Sequence, residues 1–264
     1  MDELRANKFY FFRDAGELPN LGANIHYHSY FEIYRLTDGV CDNFVGDKMY
    51  PMRPGDIVVI PPGAIHGTHY TTGFHGRTLI YFSFHYLPKH FIEAISGDPL
   101  FYRCEKTREE VGRIFEKIGA ESNSSDSFGE DVIRALLTQL IAMILRFIPK
   151  ENGIVSESNF IETAINYIQK NYQNPITLED IARVCDVSKV HLSRKFKEKV
   201  GVGLNEYIKI CRMKKAKELL LMQDKMSICE IAYECGFNDS NYFSWLFKKT
   251  YGVAPVQYRK NTRA

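Results

Sequence analysis

The sequence predicts an α+β protein of two domains, an N-terminal β-barrel or sandwich followed by two helices and then an all-α C-terminal domain. Three observations carry this. The texture changes near residue 150. Before about residue 90 the chain is short β runs cut by Gly and Pro, and from Asn159 onward every periodic segment is helical. The C-terminal part repeats itself. Charge is also divided unevenly. Residues 1–150 hold 16 Lys and Arg against 19 Asp and Glu, net −3, whereas residues 151–264 hold 18 against 13, net +5. The second half is therefore the candidate for a polyanionic partner.

The 264 residues, 45% hydrophobic and 25% charged, suffice for two globular domains. No apolar run approaches the ~20 residues of a membrane span, so no membrane partner is expected. The first residues, MDELRANKFYFF, carry acids early and lack a basic n-region, so no signal peptide is expected. The six cysteines (41, 104, 185, 211, 229 and 235) form no C-x-x-C pair. Cys185, Cys229 and Cys235 sit among apolar helical neighbours, and the thiols read as small buried groups of a reducing cytoplasm.

Along residues 8–90 the β runs are NIHYHSYFEIYRL, DNFVGDKMY, DIVVIPP and RTLIYFSFHYL. Residues 105–119 and 129–148 follow as helices. The second carries Ile133, Leu136, Leu137, Leu140, Ile144 and Phe147 on one stripe, with further apolar residues outside it. Pro149 stops this helix, and a polar linker at 151–158 separates a domain at 1–150 from one at 159–264.

The repeat pairs IARVCDVSKVHLSRKFKEKVG (181–201) with IAYECGFNDSNYFSWLFKKTYG (231–252). Ile181, Ala182 and Cys185 match Ile231, Ala232 and Cys235 at an offset of 50. Leu192, Phe196 and Gly201 match Phe243, Phe247 and Gly252 at 51, so the second copy has one extra residue in its turn. Helix, tight turn, helix and closing glycine is the helix-turn-helix plan, with units at about 178–201 and 228–252. In the first copy Leu192, Phe196 and Val200 face the core. Val190, Arg194 and Lys197 then lie outward, with Ser193 at the edge and Lys189 at the helix start. In the second copy Phe243 and Phe247 face inward, so Asn241, Trp245 and Lys248 point out with Ser240 and Ser244 beside them. Arg suits guanine and Asn suits adenine. Lysines 195, 197, 199, 248 and 249 suit phosphates.

Between the copies, GLNEYIKICRMKKAKELLLMQ (203–223) reads as one helix. Its length, about 30 Å, nearly matches one DNA turn of about 34 Å, so a rigid rod of this kind sets two reading helices into successive major grooves. Its basic residues, Lys209, Arg212, Lys214, Lys215 and Lys217, read either as a phosphate-facing side or as a solvated surface.

These elements, with the closing Pro255…Tyr258-Arg259, resemble the DNA-binding region of AraC/XylS-type transcription regulators from about Ile176 to Lys260. The resemblance implies two helix-turn-helix units on double-stranded promoter DNA, with base-reading places at Val190, Ser193 and Arg194, then Ser240, Asn241, Ser244 and Trp245. The family often has a basic residue where this chain has Trp245. Such an indole packs either on a thymine methyl or sugar, or against the protein itself.

In the N-terminal half, IHYHSYFEI (25–33) puts His26, His28 and Glu32 on one side of a strand, and GDIVVIPPGAIH places Gly55, Pro61, Gly63 and His66 downstream. The spacing resembles the two cupin motifs, with Tyr70 departing from the common Asn at the end of the second. It implies a double-sheet barrel of jelly-roll type. In metal-binding cupins the matching positions His26, His28, Glu32 and His66 are ligands, and this donor set suits zinc, iron, nickel or manganese. In sensors the same groups satisfy each other or hold a small effector. Tyr30 and Tyr34 share the strand parity of the histidines and read either as sugar-stacking rings or as core filling. Helices 105–148 resemble the pair through which such regulators dimerise.

The expectation is therefore a cytoplasmic regulator that needs no cofactor and is not an enzyme. It would be an activator working with RNA polymerase, responding to a sugar or related metabolite held by His26, His28, Tyr30, Glu32, Tyr34 and His66. A metal-sensing regulator, or a cupin metalloenzyme fused to a DNA-binding module, stays open as the alternative.

Overall fold

A computed structural model describes residues 9–17, 25–71, 73–148, 160–222 and 226–261. The chain divides into two compact units at residues 157–158. The expected linker at 151–158 lies outside the described residues.

The first unit contains strands β1 (Tyr10–Glu17), β2 (Phe31–Asp38), β3 (Cys41–Val45), β4 (Lys48–Met52), β5 (Ile57–Ile60), β6 (His66–Tyr70), β7 (Phe74–Phe82) and β8 (Leu100–Tyr102). They form two antiparallel sheets, ordered β1-β7-β2-β5-β8 and β4-β3-β6. The period of two in β2 and β5 explains the layers. Phe31, Ile33, Ile57 and Val59 face one apolar cluster, while Tyr34, Leu36, Val58 and Ile60 face another with Cys41, Val45 and Tyr70 of the small sheet. The run of four apolar residues in β5 is thus a strand covered on both faces. Between β3 and β4 the Gly46-Asp47 turn closes the hairpin, with Gly46 at φ +66 as the first central residue of a II′ turn requires.

The outer face of the five-stranded sheet is covered by α2 (Arg108–Glu121) and α3 (Gly129–Phe147), after a short α1 (Lys89–Ile95). Val111, Ile114, Phe115 and Ile118 of α2 meet Ile133, Leu137, Leu140 and Ile144 of α3 there. Residues Glu105–Thr107, expected as the start of a helix, form a 3-10 turn before α2. Phe147, expected on the buried stripe, is 44% exposed.

The barrel was expected to end near residue 90, but β8 adds to it at 100–102. Tyr102 pairs with Ile57, and Arg103 Nε donates to the buried Asp56 carboxylate at 2.9 Å. A three-residue strand after a helix is too short to show periodicity, so only its pairing reveals it.

The second unit is α4 (Phe160–Asn171), α5 (Leu178–Val184), α6 (Lys189–Val200), α7 (Leu204–Met222), α8 (Ile228–Glu234), α9 (Ser240–Tyr251) and α10 (Pro255–Asn261). The two copies reuse one set of local devices. Thr177 with Asp180, and Ser227 with Glu230, form capping boxes at the starts of α5 and α8. Ser188 and Asp239 cap α6 and α9, and Gly201 and Gly252 end them in the left-handed region at φ +87 and +78. The intervening turn needs one left-handed residue, supplied by Asp186 at φ 54 and by Gly236 at φ +85. α7 packs against α4, α6, α8 and α10, so it is the spine shared by both helix-turn-helix units. All six thiols are free. Cys229, expected to be buried, is exposed, because Ile231 and Ala232 form the inward face of α8.

Candidate ligand site and nucleic-acid interface

His26, His28, Glu32 and His66 converge. One ligand atom from each lies within 4.8 Å of all the others. The backbone achieves this differently from the expected continuous strand. His26 forms an isolated bridge to His66, Ser29-Tyr30 is a bend, and β2 begins only at Phe31. Across this bend the His28 ring still faces Glu32. His66 arrives as the first residue of β6, held by paired backbone bonds with His26 at 3.0 and 2.9 Å.

Hydrogen bonding fixes the chemistry. His28 Nδ1 donates to Tyr30 O at 2.9 Å, and His66 Nδ1 donates to Ala64 O at 2.8 Å. A carbonyl only accepts, so each Nδ1 keeps its proton and each Nε2 faces Glu32 Oε2, at 2.9 Å for His28 and 3.2 Å for His66. Burial opposes the Glu32 charge. The electrostatic influence of His66 and the hydrogen bonding with both rings outweigh it and hold the carboxyl well below the usual range. Burial likewise opposes a charge on His66, but the carboxylate beside it raises the imidazole above its ordinary value. An ionised carboxylate also only accepts. Each Nε2 therefore meets it either carrying a second proton or with its lone pair directed to a cation that Glu32 shares. Three imidazoles and one carboxylate, two of the rings oriented by backbone carbonyls, are a donor set that fits a divalent metal.

The tyrosines part company. Tyr30 stacks on His28, with centroids 3.8 Å apart and planes at 6°. Tyr34, expected either as a sugar-stacking ring or as core filling, lies in the interior between the two sheets. It is 2% exposed, and its hydroxyl bonds Tyr70 at 2.9 Å. The parity argument placed it on the right face of β2 but could not see that Tyr70, across the interior, covers it. Tyr81 was missed. Its ring stands 5.7 Å from His28 and 5.2 Å from Tyr30, because β7 pairs Tyr81 with Glu32. Asn43 was missed as well. It is 1% exposed and donates to Thr68 at 3.0 Å, while its Oδ1 has no hydrogen-bond partner.

In the second unit, the expected reading faces are on the surface. Lys189, Val190, Ser193, Arg194 and Lys197 are exposed on α6, as are Asn241, Trp245 and Lys248 on α9, with Ser240 and Ser244 half-buried. Lys189 and Lys195 pair with Glu179 and Glu198 at 3.3 and 2.9 Å, exposed contacts weak enough to yield to a phosphate. The basic run of α7 is different. Arg212 Nε donates to Tyr172 O at 2.7 Å and Nη2 to Asn174 O at 3.2 Å, and the guanidinium lies 5.8 Å from the Phe237 ring. It fastens the chain after α4 to α7 and to the second copy's turn, so these donors are engaged within the unit. Lys209, Lys214 and Lys215 pair with glutamates of α7 itself, and Lys217 lies over Tyr251.

Comparison with known proteins matches residues 9–146 to the AraC-like ligand binding domain family and residues 181–261 to a helix-turn-helix domain family. The HTH-type transcriptional activator RhaR of Mannheimia succiniciproducens is 23% identical over 239 residues, 89% of this chain and 86% of that protein. The lactose operon transcription activator of Staphylococcus xylosus is 25% identical over 255 residues, covering 92% and 88%. Among solved structures, ToxT of Vibrio cholerae is 17% identical, covering 94% of this chain and 97% of its own, with a TM-score of 0.40. No helix among the described residues is long and apolar enough to cross a membrane.

Proposed function

Since the chain belongs to the AraC family of DNA-binding transcription regulators, we propose that it is an activator whose first unit binds a sugar or related polyhydroxy metabolite beside the His26–His28–Glu32–His66 cluster. The observation that carries this is a buried, incompletely satisfied polar interior. Asn43 Oδ1 lacks a partner, and the stacked pair Tyr30 and His28 offers flat surface at the same cluster. A ligand with several hydroxyls can donate to such an acceptor and lay a ring against an aromatic face. Binding shifts a pre-existing equilibrium between arrangements that differ in DNA affinity. α6 and α9 enter successive major grooves, with Lys189, Val190, Ser193, Arg194 and Lys197 on the first and Ser240, Asn241, Ser244, Trp245 and Lys248 on the second.

The regulator works as a cytoplasmic homodimer that recruits RNA polymerase. Much of the α3 apolar stripe is spent inside the unit, but Phe128, Val132 and Phe147 remain 71%, 40% and 44% exposed, and a second copy is the partner we assign to them. A thermal-shift screen of pentoses, hexoses and sugar acids tests the effector, since a ligand that binds only the folded state raises the Tm. A hit should change affinity for the promoter DNA upstream of the regulated genes in an anisotropy titration. A hit without effect on DNA binding would argue against the sensor role.

A second reading has its own observation. The carbonyl-locked tautomers turn both Nε2 atoms onto Glu32, which favours a divalent cation held by His26, His28, Glu32 and His66. Such an ion would supply a Lewis-acidic anchor for effector oxygens. Elemental analysis of the purified chain, compared with a His28→Ala variant, tests it. Equal metal content in both would reject the site.

A further inference from the structure

The two reading helices can be compared position by position. At an offset of 51, Val190 stands against Asn241, Ser193 against Ser244, Arg194 against Trp245 and Lys197 against Lys248. Each helix thus pairs one hydrogen-bonding reader with one apolar reader, in opposite order. Val190 precedes Arg194, and Asn241 precedes Trp245. The apolar members are not packed away, Val190 being 80% exposed and Trp245 57%. Trp245 is also held in place by its own helix. Its ring stacks on Tyr242 with centroids 6.0 Å apart and planes at 26°, and Lys249 Nζ lies 5.1 Å from the ring centroid. Holding the indole in this way lowers the entropy lost when it docks.

The major-groove edges of the bases present donors and acceptors, and one apolar group, the thymine C5-methyl. An indole has a single donor and no acceptor, so it can make at most one bond to a purine edge, whereas its broad apolar face leaves water most favourably against that methyl. Four residues of helix advance about 6 Å, less than two base steps of about 3.4 Å. The two readers of each helix therefore reach adjacent or next-adjacent base pairs. We propose that Trp245 makes α9 a thymine-methyl reader, so that the two halves of the operator differ in kind. The α6 half demands guanine for Arg194 with a thymine for Val190. The α9 half is A/T-only, with adenine for Asn241 and thymine for Trp245. This rests on the reading that α6 and α9 both enter the major groove.

The test uses the full chain and a duplex it selects from a randomised pool. Each dT of the selected duplex is replaced singly by dU, which removes only the methyl, and Kd is measured by anisotropy. One or two positions in the half lacking an essential guanine should weaken wild-type binding about fourfold each, the value of one buried methyl. Trp245→Ala should bind the unmodified duplex more weakly and be indifferent to dU at those positions. Trp245→Arg should replace the methyl requirement by a guanine preference. Full affinity for duplexes carrying dU throughout that half would overturn the assignment. So would a Trp245→Ala variant that keeps wild-type affinity, which would instead place the indole on a protein partner such as the polymerase. A wild-type chain that enriches no sequence would remove the premise of specific binding, and the inference with it.

Discussion

Arg212→Ala separates two roles that the sequence leaves mixed. On α7 the residue sits in a basic run, where a phosphate contact is the natural reading. In the structure its guanidinium makes two charge-assisted bonds, to Tyr172 O at 2.7 Å and Asn174 O at 3.2 Å. Hydrogen bonds to charged groups contribute about 1.5–3 kcal/mol each. Asn174 is exposed, so its carbonyl regains water in the variant and much of that bond is recovered. The net loss is then about 2–3 kcal/mol, on the order of a 10 °C fall in Tm for a unit of this size. Thermal and urea unfolding of the full chain would be followed by helical circular dichroism and by Trp245, the single tryptophan, whose fluorescence reports on the second unit alone. Arg212→Lys keeps the charge but cannot span both carbonyls, so it should lose most of the same stability. A variant with an unchanged midpoint, but with DNA affinity reduced and its salt slope lower by about one, would show that Arg212 serves a phosphate and that the reasoning is wrong.

Three further outcomes are expected. Gly236→Ala should cost at least about 1–2 kcal/mol in urea unfolding, because φ is +85 and a Cβ would come within 2.6 Å of Gln173 O, whereas Asp186→Gly at the equivalent turn should be neutral or stabilising. Arg194→Ala should relax sequence preference in one half-site at about 1–3 kcal/mol, while Lys197→Ala should weaken all sequences alike and lower the salt slope by about one; equal behaviour in competition titrations would refute the division of roles. His66→Ala removes a buried partner of Glu32 and should destabilise the first unit by about 3–5 kcal/mol, as well as abolish any shift in Tm caused by added zinc or manganese. A metal-induced shift that survives the substitution would place the ion elsewhere.

The helical half was legible because its signals are local. The closing Gly201 and Gly252, and inward faces such as Leu192, Phe196, Phe243 and Phe247, each depend on residues within one or two turns. The β half was legible only in part. The alternation in β2 shows which side Glu32 and Tyr34 share but says nothing about what stands opposite. Tyr70 meets Tyr34 through a bond between the two sheets, 36 residues apart in the chain, and Tyr81 stands beside Glu32 through a strand pairing. β8 and the unpartnered Oδ1 of Asn43 were invisible because they too depend on strands remote in the chain. The carbonyl contacts of Arg212 were not visible, since a basic residue on a helix looks the same whether its partner is a phosphate or a carbonyl 40 residues earlier.

By itself, then, the sequence determined the two-domain division, the doubled helix-turn-helix, the outward side chains of α6 and α9 and the set of residues that meet around Glu32. Each of these follows from backbone periodicity, Gly and Pro punctuation or motif spacing, which act along the chain. Tertiary structure alone decided that His66 meets Glu32, that Tyr34 bonds Tyr70 while Tyr81 stands at the cluster, and that Arg212 ties α7 to the chain after α4. Those facts depend on contacts between segments remote in sequence, where a one-residue change of register would exchange the face that every side chain presents.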